Sequence, residues 1–163
     1  MAIQDINHVT LIVDDLEKNA SFYENELGLE PIPAFVFDYP TAFFRINATQ
    51  QLHLSEWEDK MSFRGHVCFK VDNFSELFWR FKEQGIIDIK PWGHVRQLTD
   101  GAMQMFIRDP AGNLVELSSL GDPVDEKIFQ DELYKEGLYV SGRNDFRGYK
   151  SENATLYHGS KSE

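Results

Sequence analysis

Four side chains of metal-ligating type occupy repeated positions along this chain of 163 residues. His8 and His66 lie 58 positions apart, and His53 and Glu116 lie 63 apart. The same two offsets recur at neighbouring positions: Asp14 with Asp72 at 58, and Arg45 with Arg108, Leu54 with Leu117 and Ser55 with Ser118 at 63. Two constant offsets, separated by one five-residue slip, predict a tandem duplication of one small module.

The repeated residues point to metal chemistry. Each is expected in mid-strand, on the face opposite the core residues, where an ionisable group needs a partner or a cleft. Three imidazoles and one carboxylate suit a divalent Fe, Mn, Ni, Co or Zn ion, and suit Mg or Ca less well. We therefore predict His8, His53, His66 and Glu116 as metal ligands. His53 could instead line the cleft as a proton donor, and Glu116 could serve as a catalytic base.

Alternating and helical patterns indicate the elements that would position these residues. Period-2 alternation predicts strands, and apolar spacing of three to four predicts helices that begin near Asp15 and Asn73 and end near Gly28 and Gly85. Each module then reads as strand, helix and three further strands. The predicted strands are 6–13, 32–37, 41–46 and 50–56 in the first module, and 66–71, 86–89, 103–108 and 113–119 in the second.

The modules form one predicted domain, residues 1–120, with the repeats at about 5–56 and 63–119. Each repeat alone is too small to bury a robust core, so pairing is expected to stabilise them. After residue 120, apolar residues at helical spacing predict one amphipathic helix, with Asp122 as its cap and Gly137 as its stop. These residues are Val124, Ile128, Phe129 and Leu133. The remaining tail, to residue 163, is rich in Gly, Asn, Ser, Arg and Lys and is expected to be loosely ordered.

Composition excludes several functional classes. With 27 Asp and Glu against 16 Lys and Arg, the net charge of −11 disfavours binding to nucleic acid or to a membrane surface. Cys68 is the single cysteine, which rules out an intramolecular disulfide and a cysteine-based zinc motif. The N-terminus has no signal-peptide pattern, and no apolar run is long enough to span a bilayer. A cytoplasmic protein that acts on a small molecule is expected.

Several motifs resemble those of the vicinal oxygen chelate superfamily, which includes glyoxalases, extradiol dioxygenases and fosfomycin- and bleomycin-resistance proteins. The motifs are Asn7-His8-Val9-Thr10-Leu11, Leu27-Gly28-Leu29, Gly65-His66-Val67 and Asp109-Pro110-Ala111-Gly112-Asn113. The resemblance implies an α+β fold in which two βαβββ modules curl into a U-shaped cup, commonly as a homodimer. It implies a metal at His8, His66 and Glu116, with His53 as a fourth ligand in some branches.

Four further residues are predicted to contact substrate. Thr10 matches a threonine of fosfomycin-resistance proteins, and Phe106 stands where those proteins have a tyrosine. Cys68 shares a strand face with His66 and could line the cleft, although a buried, inert thiol is the commoner outcome for a lone cysteine. Trp92 could shape the rim of the pocket, or simply pack against other aromatic residues.

The resemblance does not specify the reaction, but departures from the family patterns reduce the number of candidate reactions. The His and Phe-Tyr pair of extradiol dioxygenases are missing, and Ile12 and Trp57 replace residues that glutathione-dependent glyoxalases use. The primary prediction is a metal-dependent lyase or isomerase whose substrate chelates the metal through two neighbouring oxygens. The alternatives are an Fe(II) ring-cleaving dioxygenase, a fosfomycin-resistance-like transferase and a non-catalytic protein that binds a small molecule or antibiotic.

Overall fold

The computed structural model describes residues 6, 8–35, 39–58, 64–98 and 100–136. The described residues divide into two compact units, one formed by those up to 67 together with 108–114, the other by those from 68 to 107 and after 114. Each unit has its own apolar core, built from both its helix and its strands. The largest buried side chains are Tyr23, Phe44, Leu52 and Leu54 in the first unit, and Phe74, Phe78, Phe81, Met103, Met105, Ile107 and Leu117 in the second.

The first four strands form one mixed sheet in the order β1-β4-β3-β2. They are β1 His8–Val13, β2 Glu30–Ile32, β3 Thr41–Arg45 and β4 Gln51–Glu56. β1 runs parallel to β4, while β4–β3 and β3–β2 are antiparallel. β2 was expected at 32–37, but it lies earlier and ends at Ile32. Its Pro31 lacks an N–H donor, which an edge strand tolerates. Val36 and Phe37 lie outside the described residues.

The second sheet repeats this order with β5 His66–Lys70, β6 Arg96–Gln97, β7 Met103–Arg108 and β8 Leu114–Ser119, arranged β5-β8-β7-β6. Each sheet therefore places the first strand of its module beside the fourth. The two tandem βαβββ modules predicted from the repeat are confirmed.

The two helices lie where the sequence predicted them. α1, Leu16–Asn25, is capped by Asp15, whose side chain accepts a hydrogen bond from the Lys18 backbone N–H at 3.0 Å. α2, Phe74–Gln84, ends at Gly85, which adopts φ +69°, the left-handed conformation that glycine tolerates best. No helix within the described ranges combines the length and apolarity that a bilayer crossing requires.

Two predictions in the second module were wrong. The strand expected at 86–89 is reduced to a single bridge between Ile87 and Ile107. The edge strand is instead β6, inside a connection where no strand was predicted. A strand of two residues is too short to show an alternating pattern in the sequence. β6 forms because Arg96 and Gln97 pair with Gln104 and Met103.

The prediction of a long C-terminal helix was also wrong. Residues Glu126–Gln130 form only a short 3₁₀ helix, capped by Asp125 rather than Asp122. It stops at Asp131 because the following backbone pairs elsewhere: Val95 donates to the Leu133 carbonyl and accepts from Lys135 N–H, both at 2.9 Å. Gly137 and the tail lie outside the described residues.

The Asp-Pro turn is locked into the first unit by buried hydrogen bonds. Asp109 accepts one from the Tyr23 hydroxyl at 2.9 Å and another from Asn113 N–H at 2.7 Å. Asn113 donates to the Ile12 carbonyl at 2.8 Å, and Ala111 N–H donates to the Asn19 side chain at 2.9 Å. These bonds hold β1 and α1 against the turn, so the motif has a structural role.

Candidate functional site

The first sheet brings three of the predicted site residues together. Parallel pairing places Thr10 on β1 opposite His53 on β4. The His8 ring stacks on the His53 ring, with 4.2 Å between centroids and 15° between planes. His8 and Thr10 are exposed, whereas His53 is partly buried. These side chains therefore share one open face of the sheet.

His53 is held on both sides of its ring and along its edge. Phe43, its antiparallel partner on β3, stacks on the other side at 3.5 Å between centroids. The Nε2 atom of His53 lies 2.9 Å from the Gln51 side-chain oxygen. Desolvation, with a smaller contribution from His8, lowers the pKa of His53 below its usual value. The imidazole is therefore fixed in place and favoured in its neutral form.

His66 begins β5 and is exposed. Its Nδ1 atom lies 2.9 Å from the Arg64 carbonyl, which can only accept a hydrogen bond. Nδ1 therefore carries the proton, and in the neutral ring the lone pair is on Nε2. Metal-binding histidines are commonly oriented by such a bond from the other ring nitrogen to a backbone carbonyl.

Glu116 on β8 is buried, with 3% of its surface exposed. The Gln104 amide of β7 donates to its Oε1 at 2.7 Å. Cys68 on β5 also hydrogen-bonds to this carboxylate. Its position is thus set by two neighbouring strands, as expected for a buried charge that must be hydrogen-bonded.

The Cys68 thiol is strongly disfavoured as a thiolate. Desolvation, followed by the charge of Glu116 and the hydrogen bond to it, raises the pKa of Cys68 to about 12. The residue is nevertheless exposed, so the alternative of a buried thiol does not apply to it, and its contact with substrate stays a prediction. The strand geometry explains both facts, because Cys68 lies on the open face of β5 but beside a carboxylate.

Gln104 links the Glu116 carboxylate to the guanidinium of Arg96. Its side-chain oxygen accepts a hydrogen bond from Arg96 Nε at 2.9 Å, while its amide donates to Glu116. Arg96 also donates through Nη2 to the Trp92 carbonyl. The open face of the second sheet thus carries a continuous polar chain from β6 through β7 to β8 and β5. We call the residues Arg96, Gln104, Glu116 and Cys68 the polar row.

The predicted ligands have donor chemistry that fits a divalent cation of the Mn, Fe, Co, Ni or Zn group. His66 and Glu116 have the outer hydrogen bonds that orient ligands, and His53 has one to Gln51. The described residues contain no group of three or more His, Cys, Asp or Glu side chains arranged to hold an ion. Stacked rings keep their in-plane lone pairs in nearly parallel, separated planes, so His8 and His53 could share an ion only if one ring turned.

The predicted substrate contacts have different surroundings. Thr10 pairs with His53, and Cys68 adjoins Glu116. The Trp92 side chain is 42% exposed, and its carbonyl holds Arg96. Phe106 is buried at 4% exposure. Sequence reasoning missed Gln104, Arg96 and the stacking of Phe43; a polar residue inside an otherwise apolar strand was the available signal for Gln104.

A family model for the glyoxalase/bleomycin resistance protein/dioxygenase superfamily matches residues 5–117. The chain belongs to this superfamily. The match spans both modules of the superfamily fold and ends one residue beyond Glu116. It thus includes every side chain predicted as a metal ligand.

Three relatives illustrate the range of the superfamily around this chain. Metallothiol transferase FosB from Shouchella clausii is 31% identical over 121 residues, covering 71% of this chain and 80% of the relative. Methylmalonyl-CoA epimerase from Bos taurus is 28% identical over 126 residues, covering 69% and 72%. A mutant of the fosfomycin resistance protein FosX from Listeria monocytogenes, solved with Mn(II) and 1S,2S-dihydroxypropylphosphonic acid, is 25% identical with a TM-score of 0.58, covering 72% and 93%.

Proposed function

We propose that this superfamily member is a divalent-metal-dependent lyase or isomerase that acts on a small substrate chelating through two neighbouring oxygens. The proposed ligands are His8, His66 and Glu116, with His53 as a fourth ligand or as the acid/base group. The observation that carries the proposal is the repeated placement of these donors. In each sheet they lie on the first and fourth strands of the module, which are neighbours.

When bound, a divalent cation supplies Lewis-acid polarisation of the substrate oxygens that it contacts. The polypeptide supplies the orientation of the donors. The Arg64 carbonyl fixes the tautomer of His66, and Gln104 fixes one oxygen of Glu116. Preorganised donors of this kind do not have to be reoriented during the reaction.

Proton transfer is assigned to His53, with Glu116 as the alternative base. A base must be deprotonated before it acts, and the lowered pKa of His53 keeps its imidazole neutral near pH 7. The bond from Nε2 to Gln51 leaves Nδ1 as the lone-pair nitrogen of the neutral ring. Phe43 packs against the same ring and prevents it from tilting towards β3.

The relatives support the two parts of this proposal separately. The bovine relative is an epimerase by name, which is an isomerase activity. The FosX structure contains Mn(II) together with a dihydroxy compound. Both facts concern those proteins, and they make a metal-assisted isomerisation a reasonable activity to test first.

Exchange of substrate protons with solvent tests the proposal. The protein is loaded with Mn(II), Co(II), Ni(II), Zn(II) or Fe(II) and incubated in D₂O with a panel of hydroxyketones, keto acids and acyl thioesters. Proton NMR should show loss of the signal from the carbon next to a carbonyl for at least one compound. Chelation of the metal should abolish that exchange, and the metal should restore it. Exchange that persists undiminished after complete metal removal would contradict the proposal.

A thiol transferase is the second candidate, because the FosB relative is a metallothiol transferase. Cys68 is unsuited to supply the thiol, since its pKa of about 12 leaves almost no thiolate at neutral pH. A small external thiol would therefore be required. Turnover of fosfomycin that depends on an added thiol would favour this candidate, whereas proton exchange without any thiol would favour the first.

A further inference from the structure

The guanidinium of Arg96, in the second unit, has only uncharged hydrogen-bond partners among the described residues. Arg96 is partly buried and makes two side-chain bonds, from Nε to the Gln104 oxygen and from Nη2 to the Trp92 carbonyl. Both acceptors are uncharged. Among the described residues, no carboxylate lies within 4.0 Å of the Arg96 guanidinium. Arg45, by comparison, is an exposed arginine with an ordinary ion pair to Glu30 at 2.8 Å.

The surroundings of Arg96 favour an added anion. Desolvation lowers the pKa of this guanidinium, and only the more distant Glu116 opposes that effect. A guanidinium has five N–H donors, and the two bonds named above leave others to offer. Because those bonds fix the plane of the fork, an oxyanion could be bound through two N–H groups with little further loss of side-chain freedom.

We propose that Arg96 is the anion-recognition residue of the site, and that the substrate bears a carboxylate, phosphonate or phosphate group besides its two chelating oxygens. Gln104 is a positioning residue in this arrangement, because it holds Arg96 and Glu116 at the same time. The part that concerns chelation rests on the proposed function, whereas anion recognition by Arg96 does not. The polar row thus selects the charge of the substrate as well as providing a ligand.

Two probes that differ by one charged group test the inference. Dihydroxyacetone and dihydroxyacetone phosphate share a carbonyl oxygen next to a free hydroxyl, and only the second carries an anion. Their dissociation constants are measured by calorimetry for wild type, Arg96→Met, Arg96→Lys and Gln104→Leu, each with and without Mn(II). Arg45→Met is the matched control, since it removes an arginine whose charge is already paired at the surface. Thermal melting verifies that each variant is folded.

Wild type should prefer the phosphate compound by about tenfold or more, as expected for a charge-assisted bond to a fixed guanidinium. Arg96→Met should remove that preference without changing dihydroxyacetone binding, and Arg96→Lys should keep part of it. Gln104→Leu should weaken it, while Arg45→Met should leave it intact.

The outcomes separate the two proposals. A wild type without anion preference, including one that binds neither probe, overturns the inference, as does an undiminished preference in folded Arg96→Met. An Arg96-dependent preference that is the same with and without Mn(II) supports the inference while it counts against the metal-dependent function.

Discussion

The two sheets have the same strand order and use the same strands for their predicted ligands, yet their open faces differ in chemistry. On the first, the His53 ring lies between the rings of His8 and Phe43. On the second, Glu116 occupies the repeated position and belongs to the polar row. Each module therefore has a histidine on its first strand, while the fourth strand carries a second imidazole, His53, in the first module and a carboxylate, Glu116, in the second.

If both faces serve one metal-dependent reaction, damage to either should be severe. Glu116→Gln keeps the shape of the side chain but removes the charge, and His8→Ala removes a nitrogen donor. We expect each to lower proton exchange by about 10³-fold, the order of several kcal/mol of lost electrostatic stabilisation. Circular dichroism should report an unchanged fold. A variant of one face with wild-type exchange would restrict the chemistry to the other face.

The assignment of proton transfer to the first face predicts a different signature for His53. His53→Gln should lower the exchange rate by about 10²-fold or more, the usual range for a lost general base. Substrate binding should change little, so the loss should fall in kcat rather than in KM. Glu116→Gln should also reduce metal binding. If His53→Gln instead loses metal to the same extent as Glu116→Gln, His53 is a fourth ligand.

The polar row can be probed through Cys68, the chain's single cysteine. Its pKa of about 12 means that the thiolate is scarce at pH 8.5, so iodoacetamide should react much more slowly than with free cysteine. Glu116→Gln removes the charge that contributes to this pKa, and alkylation should accelerate about tenfold. Mass spectrometry follows the reaction. An unchanged rate would show that Glu116 has no electrostatic effect on the thiol.

The turns before the last strand of each module have the same backbone hydrogen bond but differ in side-chain burial. Ile46 donates to the Gln50 carbonyl at 3.0 Å, and the equivalent Asp109 donates to Asn113 at 3.1 Å. Around the first turn the Asn47 side chain is exposed, whereas around the second Asp109 is buried against Tyr23. Tyr23→Phe should cost about 1–3 kcal/mol of unfolding free energy, because it leaves a buried carboxylate short of a donor.

The control Asn47→Ala should cost less than about 1 kcal/mol, since its lost hydrogen bonds are exposed to water. Burial and the charge of Asp109 raise the pKa of Tyr23, so the folded chain keeps this proton where the unfolded chain releases it. Its stabilising contribution is therefore complete below about pH 10 and declines above it. Denaturant titrations should show the gap between wild type and Tyr23→Phe narrowing at alkaline pH. A gap that widens there would contradict the assigned coupling.

Most of the helices and strands could be predicted from local patterns in the sequence. Asp15 and Gly85 specify the start of one helix and the end of the other, and alternation predicted β1, β4 and β5. Constant offsets revealed the duplication without any structure. β6 was not accessible, because two residues acquire strand geometry only from pairing with β7. The segment after Asp125 has helical spacing, but its backbone pairs with Val95 instead.

The site could be predicted in its residue types and less well in its connections. His8, His53 and Thr10 were expected on one face, and pairing of β1 with β4 places them there. The role of Gln104 depends on side chains from three strands and leaves no mark in the spacing. The same holds for Arg96, whose partners are an amide and a backbone carbonyl.

Metal content tests the central claim most directly. Wild type, His8→Ala, Glu116→Gln and Cys68→Ser are purified, loaded with Mn(II), passed through a desalting column and analysed by inductively coupled plasma mass spectrometry. Wild type and Cys68→Ser should retain about one ion per chain, and the His8 and Glu116 variants should retain far less, because each lacks a proposed ligand. A wild type that retains no ion, or His8→Ala and Glu116→Gln variants that both retain the full amount, would contradict the account.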